Sequence, residues 1–196
     1  MDKKTSIIVG IIVLIILVAL VIAAKMSMKP SSSPSNTVQD LQNSSQSVQV
    51  TPQGVVVATG TSAIASSGQV VTPSGKPVQL NVAPGSEQAP QQSAPITASS
   101  TVPSRAIKLT VSASGFSPKT FAVNSGDPVV LSVTSGDDQS HVFKFRDPAL
   151  EAVAMGLAPH ETRLITFNAP KAGSYDFYCD VPGHANRGET GTMTVK

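Results

Sequence analysis

The sequence contains one cysteine, Cys179, so no disulfide bond can form within the chain. Charged residues are also scarce, at 13% of the chain, and the formal net charge is only +2. From Arg105 to the C-terminus the basic and acidic residues are equal in number, at nine each. This balance leaves no basic patch of the kind that binds nucleic acid, and we expect no nucleic-acid partner.

Charge is almost absent from residues 30–104, where Asp40, Lys76 and Glu87 are the only charged side chains. Serine, proline, threonine, glutamine and glycine dominate this stretch, which leaves too little apolar surface to offset the entropy lost on ordering. Its middle, "VTPQGVVVATGTSAIASSGQVV", has enough valine and isoleucine to pair transiently as strands. The composition therefore predicts a flexible, disordered linker over 30–104.

An unbroken apolar run extends from Ile7 to Ala24. As a helix rising about 1.5 Å per residue, these 18 residues just cross a hydrocarbon core of about 30 Å. Lys3 and Lys4 precede the run, which favours a cytoplasmic N-terminus. Residues 1–29 are therefore predicted to be a single-pass anchor in the cell membrane, with the rest of the chain outside the cytoplasm. A cleaved signal peptide is the alternative, and it also exports the rest.

Residues 105–196 contain short β-branched or aromatic runs separated by glycine, proline, asparagine and aspartate. Several of these runs alternate with period two, as strands with one buried face do. Seven runs in so short a span predict an all-β sandwich, which we expect to be a monomeric, soluble domain. The runs are "AIKLTVSA", "TFAVN", "PVVLSVTS", "HVFKF", "RLITFNA", "SYDFYC" and "TMTVK". "DPALEAVAMG" is expected to be a helical turn or a loop.

The lone cysteine is followed by His184 in the stretch "YCDVPGHANRGETG", and His141 begins a strand far upstream. One cysteine, two histidines and an oxygen or sulfur donor make a trigonal or tetrahedral metal site. Thiolate and imidazole together select copper or zinc, and they disfavour magnesium and calcium, which prefer oxygen ligands. A bound metal would explain why the cysteine is unpaired.

The segments "SGD", "SHVFKF" and "YDFYCDVPGHANRGETGTMTV" resemble the cupredoxin family, the blue-copper proteins of the plastocyanin and azurin type. The resemblance covers 105–196. It implies a Greek-key β-sandwich of about seven to eight strands and one copper ion held by His141, Cys179 and His184. It also implies a one-electron carrier that cycles between Cu(I) and Cu(II), with no substrate chemistry.

The sequence departs from the family pattern at Glu189, where the family has a methionine as a weak fourth ligand. Glu189 is interpreted as an axial or near-axial oxygen ligand, and the alternative is a solvated loop carboxylate. Met193 alternates within the final strand and is predicted to be a core residue. Met155 is a more remote candidate for the fourth ligand.

Two functions fit these residues. The first is a membrane-tethered electron carrier that exchanges electrons with redox partner proteins. The second is a metal-binding module without redox traffic, either a copper store or sensor or a structural zinc domain. An enzyme is not expected, because a second copper set needs more histidines than the three present, and the third, His160, is predicted to lie exposed on a turn.

Overall fold

Strands account for most of the regular structure in the residues that the computed structural model describes, which are 49–96 and 102–196. Two short 3-10 helices, Pro148–Leu150 and Ala185–Arg187, interrupt them. No helix in these two ranges is both long enough and apolar enough to span a membrane, and the predicted anchor lies outside them. The strands are β1 (Gln49–Thr51), β2 (Gly54–Val56), β3 (Ala63–Ile64), β4 (Val70–Val71), β5 (Ile107–Ser112), β6 (Gly115–Ser117), β7 (Thr120–Val123), β8 (Pro128–Ser135), β9 (His141–Phe145), β10 (Ala154–Leu157), β11 (Thr162–Asn168), β12 (Gly173–Cys179) and β13 (Thr190–Val195).

The nine strands from β5 onward form two sheets that pack face to face. One sheet has the order β10-β9-β12-β13-β7 and the other has the order β11-β8-β5-β6. Pairing is parallel between β7 and β13 and between β5 and β8, and antiparallel elsewhere in these two sheets. The predicted all-β sandwich is confirmed, and all seven predicted runs form strands. Two strands were missed: β6, and β10 within the stretch expected to be a turn or loop.

Phenylalanine side chains fill the space between the two sheets. The ring of Phe177 lies 5.0 Å from that of Phe116 and 5.2 Å from that of Phe143, measured between centroids. Such edge-on and tilted contacts stabilise the pair beyond the area that it buries. Met193 is fully buried in this core, as predicted from its alternation. Cys179 belongs to the same buried cluster, so one residue of the candidate metal site packs directly against the hydrophobic core.

Residues 49–96, here called the N-terminal layer, pack on the outer face and the β11 edge of the sheet that contains β8 and β11, and Leu80 also contacts the core between the two sheets. Its strands pair in the order β1-β2-β3-β4. Ile64 and Val70 of the layer are buried in one apolar cluster with Val130 and Leu164 of the sandwich. The prediction of a flexible linker is therefore wrong within 49–96. The polar and glycine-rich residues form turns there, and the apolar residues between the turns pack against the apolar outer face of the sandwich. Residues 30–48 and 97–101 of the predicted linker lie outside the described ranges.

Hydrogen bonds to β11 attach this layer to the sandwich. The backbone N–H of Val70 and the side-chain amide of Gln69 both donate to Asn168 Oδ1 at 2.8 Å, and Asn168 Nδ2 donates to the Gly68 carbonyl at 2.9 Å. Further along, the Ser93 N–H donates to the Leu164 carbonyl at 2.7 Å. The layer is thus joined to the sheet by directed bonds as well as by apolar contact.

The replacement Ile64→Ala tests whether the layer packs as described. Ile64 is 8% exposed, within the apolar cluster that it shares with Val130 and Leu164 of the sandwich. Its truncation should therefore lower the free energy of unfolding by about 2–5 kcal/mol in a denaturant titration. The matched control is Val50→Ala in the same layer, whose side chain is 80% exposed and whose loss should change the free energy by less than about 0.5 kcal/mol. Equal unfolding midpoints for both variants would mean that residues 49–96 do not pack on the sandwich.

Candidate metal centre

Strand register brings three parts of the chain to one end of the sandwich. Cys179 is the last residue of β12, and it pairs across the ladder with Phe143, two residues after His141 at the start of β9. His184 and Glu189 lie on the loop that joins β12 to β13. The donor atoms of all four predicted site residues lie within 4.8 Å of one another, and all four residues are buried.

The four side chains face one another directly. Oε2 of Glu189 lies 2.9 Å from Nδ1 of His141 and 3.0 Å from Nδ1 of His184. Sγ of Cys179 lies 3.7 Å from the same nitrogen of His141 and 3.5 Å from that of His184. Both imidazoles therefore present Nδ1 to the centre of the cluster.

The β12–β13 loop is closed at its base and turns sharply before Glu189. The Cys179 N–H donates to the Glu189 carbonyl at 3.0 Å, and the His184 N–H donates to the Val181 carbonyl at 3.0 Å. After the 3-10 helix Ala185–Arg187, Gly188 adopts a φ of 99°, a conformation that side chains with a Cβ rarely take. This turn reverses the chain so that Glu189 points inward.

Charge at the site is partly compensated by Arg187, whose Nη2 donates to Glu189 Oε1 at 2.8 Å. Glu189 is fully buried, and burial alone would raise its pKa. Hydrogen bonds outweigh burial and hold the pKa of this carboxyl below its ordinary value of 4.5; they come from Arg187, His141, Cys179 and His184. Glu189 is therefore anionic at neutral pH, with Oε2 left to face the other donors.

The pKa of the Cys179 thiol is shifted in the opposite direction, upward. Burial raises its pKa above the ordinary value of 9.0, and the nearby Glu189 carboxylate raises it further, although backbone N–H groups of Val142 and Val181 lower it. The Val142 N–H lies 3.3 Å from Sγ. In the absence of a cation the sulfur is protonated, and a bound metal would displace that proton.

A second carboxylate at this site, that of Asp137, was not predicted. Asp137 Oδ1 lies 2.9 Å from Nε2 of His141, on the side of the ring that faces away from the cluster. Burial alone would raise the Asp137 pKa, but hydrogen bonds from His141 and from the backbone of Ala113 and Gln139 lower it to about 2. The only sequence signal was an aspartate four residues before a histidine, within the turn-like stretch "SGDDQS".

The donor set fits a bound cation. Two imidazole nitrogens, a thiol and one oxygen of an anionic carboxylate converge, so four ligand atoms and a negative charge are available to a cation at one point. Sulfur, two nitrogens and one oxygen are ligands that copper and zinc accept. The residues present therefore fit the metal that the sequence predicted.

The remaining candidates occupy other places. Met155 is buried in the hydrophobic core on β10, with Phe143 as its register partner. His160 is exposed on a turn, as predicted, and its Nε2 pairs with Asp138 Oδ1 at 2.8 Å. Neither residue belongs to the four-residue cluster.

The sequence model of one protein family, described as a cupredoxin-like domain, matches residues 82–195, more than half of the chain. The chain belongs to the cupredoxin family. The match begins inside the stretch predicted to be linker, so the family domain of this cupredoxin includes part of the N-terminal layer. The sequence matches none of the curated proteins.

Several solved structures resemble this cupredoxin. Reduced auracyanin from the photosynthetic bacterium Roseiflexus castenholzii is 24% identical, with 47% of this chain and 98% of its own covered, at a TM-score of 0.41. Amicyanin from Paracoccus versutus is 21% identical, with 53% and 92% covered, at a TM-score of 0.40. Auracyanin A, a "blue" copper protein from Chloroflexus aurantiacus, is 20% identical, with 46% and 98% covered, at a TM-score of 0.39.

Proposed function

We propose that this cupredoxin holds one copper ion through His141, Cys179 and His184 and carries one electron at a time. The observation that supports it is the convergence of a buried thiol and two imidazole Nδ1 atoms at one end of a sandwich. A site with one cysteine and two histidines is the ligand set of electron-transfer copper proteins. When bound, copper supplies the one-electron redox couple.

The chain's own contribution is rigidity and a route to the surface. Cys179 and His141 are each about 1% exposed, and both are held by strands whose side chains fill the core. The ligands therefore have little room to rearrange when the charge of the metal changes. His184 is the ligand closest to solvent, at 9% exposure, so a redox partner protein would approach this imidazole.

Copper loading of the full chain tests the ligand set. With Cu(II) the protein should develop an intense visible absorption band from the copper–thiolate bond, together with a paramagnetic resonance signal. Cys179→Ser should abolish that band and should keep the far-ultraviolet circular dichroism of the parent, because one sulfur contributes little to a core built from phenylalanine. A visible thiolate band that persists in the variant would contradict the assignment.

Glu189 is proposed as the fourth ligand, through Oε2. Its position between the two Nδ1 atoms and its complete burial favour this role over that of a solvated loop carboxylate. A carboxylate oxygen is harder and more negative than a thioether, so it stabilises Cu(II) relative to Cu(I). The site should therefore have a lower reduction potential than one with an axial methionine.

The replacement Glu189→Met restores the residue that the family pattern expects. The variant should show a bluer spectrum, a higher reduction potential by voltammetry and weaker zinc binding, because a negative oxygen is exchanged for a neutral sulfur. Glu151→Met, in an exposed position, controls for the change in net charge. If Glu189→Met and the parent have the same spectrum and potential, Glu189 is not a ligand.

A second candidate function is metal binding without redox traffic, as a structural zinc site or a copper store or sensor. The fourth donor favours it, because a thiolate, two imidazoles and a carboxylate also complete a closed tetrahedral zinc shell. Zinc gives no visible band. The absorbance of the protein isolated from its source therefore separates a zinc site from a copper site.

We further propose that Ile7–Ala24 anchors the protein in the cell membrane, with the copper domain outside the cytoplasm, and that the protein is not an enzyme. The apolar length of that run and the presence of only three histidines support these two proposals.

The anchor has its own test in membrane fractionation. The full-length protein should sediment with membranes and resist high-salt washing, because an 18-residue apolar helix is held by hydrophobic transfer and not by charge. A shorter mature protein in the soluble exported fraction would instead indicate a cleaved signal peptide.

A further inference from the structure

A carboxylate outside the four-residue cluster is fixed with its oxygen aimed at one of the proposed ligands. Asp137 Oδ2 accepts from the Ala113 N–H at 2.7 Å, and Oδ1 accepts from the Gln139 N–H at 3.0 Å and from His141 Nε2 at 2.9 Å. The backbone N–H groups of Ala113 and Gln139, which lie on different loops, thus hold the carboxylate in place independently of any metal. Its side chain is 24% exposed, and the imidazole that it contacts is completely buried.

The loop that carries Asp137 is itself held in place. The buried hydroxyl of Ser135 donates to the carbonyls of Asp137 at 3.2 Å and Gln139 at 2.9 Å, and the Gly136 N–H donates to the Val111 carbonyl at 2.8 Å. A Cβ at position 136 would come within 2.7 Å of Thr110 Cγ2, so the loop packs tightly against β5. The carboxylate therefore has a fixed position relative to the strand that begins with His141.

This contact gives the Nε2 nitrogen of His141 an acceptor on the side of the ring away from the cluster. An ionised carboxylate can only accept a hydrogen bond, so Nε2 carries the hydrogen. With the Nε2 hydrogen held by Asp137, a metal bound among the four donors would take the lone pair of Nδ1, in place of the contact that Nδ1 makes with Glu189 Oε2. Nδ1 is the atom that faces Cys179 and Glu189.

We propose that Asp137 is a positioning residue of the metal site, which holds the Nε2 hydrogen of His141, presents Nδ1 as the metal-binding atom and favours Cu(II) over Cu(I). The inference rests on the proposed function, because it assigns a role toward the same metal. A carboxylate behind an imidazole makes the ring a stronger donor, and its negative charge stabilises the more positive oxidation state.

The same loop also reaches the proposed oxygen ligand. Arg187 Nη2 donates to Gln139 Oε1 at 2.9 Å and to Glu189 Oε1 at 2.8 Å. Gln139 accepts from this guanidinium with its side chain and donates its backbone N–H to Asp137. Asp137–Gln139 therefore supports one nitrogen ligand directly and one oxygen ligand through Arg187.

The test compares Asp137→Asn with Asp138→Asn in the full chain. Both variants remove one negative charge from adjacent positions, but the Asp138 side chain is 97% exposed and contacts only the surface residue His160 among hydrogen-bonding partners. Asp137→Asn should bind Cu(II) about 10–100-fold more weakly in chelator competition and should have a higher reduction potential. Asp138→Asn should match the parent in both measurements, because solvent and salt screen its charge.

A second measurement uses zinc, which gives no redox signal. In nitrogen-15 magnetic resonance of the zinc-loaded parent, His141 should carry its hydrogen on Nε2, with slow exchange against water, and should bind zinc through Nδ1. The Nε2 hydrogen should exchange faster in Asp137→Asn and at the parental rate in Asp138→Asn. This measurement on the parent alone remains decisive if Asp137→Asn fails to fold.

The outcomes separate the two proposals. If the parent binds Cu(II) without a thiolate band, the proposed function fails and the role of Asp137 fails with it. If the parent shows the band but zinc binds His141 through Nε2, only the role of Asp137 is overturned. The same holds if Asp137→Asn matches Asp138→Asn in affinity, potential and hydrogen exchange.

Discussion

Four polar side chains are buried together at one end of this sandwich. The free-energy cost of burying each one is offset only because the others are present to contact it. A buried carboxylate without partners costs several kcal/mol, as does a buried imidazole or thiol to a lesser degree. Glu189 is fully buried, and its two oxygens contact two imidazoles and a guanidinium. Removing one member leaves the rest unpaired, so the cluster is a unit that a central cation would balance.

The rest of the domain keeps these groups in register. The phenylalanine core fixes β9 and β12 against each other, and this fixes the separation of His141 and Cys179. The loop beyond β12 is closed by a hydrogen bond between Cys179 and Glu189, so His184 and Glu189 lie on a short loop with little freedom. Strands therefore supply the rigid part of the site, and the loops carry the polar groups that complete it.

Much of this could be predicted from the sequence because the signals were local. Runs of β-branched and aromatic residues, several of them alternating, indicated seven of the nine sandwich strands. Resemblance to a family pattern identified His141, Cys179 and His184, and the departure from that pattern identified Glu189. β10 was missed because "AMGL" contains no β-branched or aromatic residue, and β6 because it has only three residues. Asp137 was missed because its contact with His141 depends on how the loops of Ala113 and Gln139 pack together, and residue types alone do not reveal that packing.

The N-terminal layer was missed for a different reason, although the sequence contained a clue. An argument from composition considers a segment in isolation. The N-terminal layer is ordered because it packs against an apolar face formed by a different part of the chain. That face is visible in "RLITFN" and "PVVLSV", where apolar residues run on without strict alternation. Strands of this kind are buried on both sides, so something must cover the second side.

The burial of the single thiol also affects how readily the metal-free protein is oxidised. A thiol is oxidised, or exchanged with another thiol, mainly as its thiolate and only where a reagent can reach it. Cys179 is 1% exposed, and burial raises its pKa. The metal-free chain should therefore resist sulfenic acid formation and mixed disulfides, so the thiol would remain available to a metal ion.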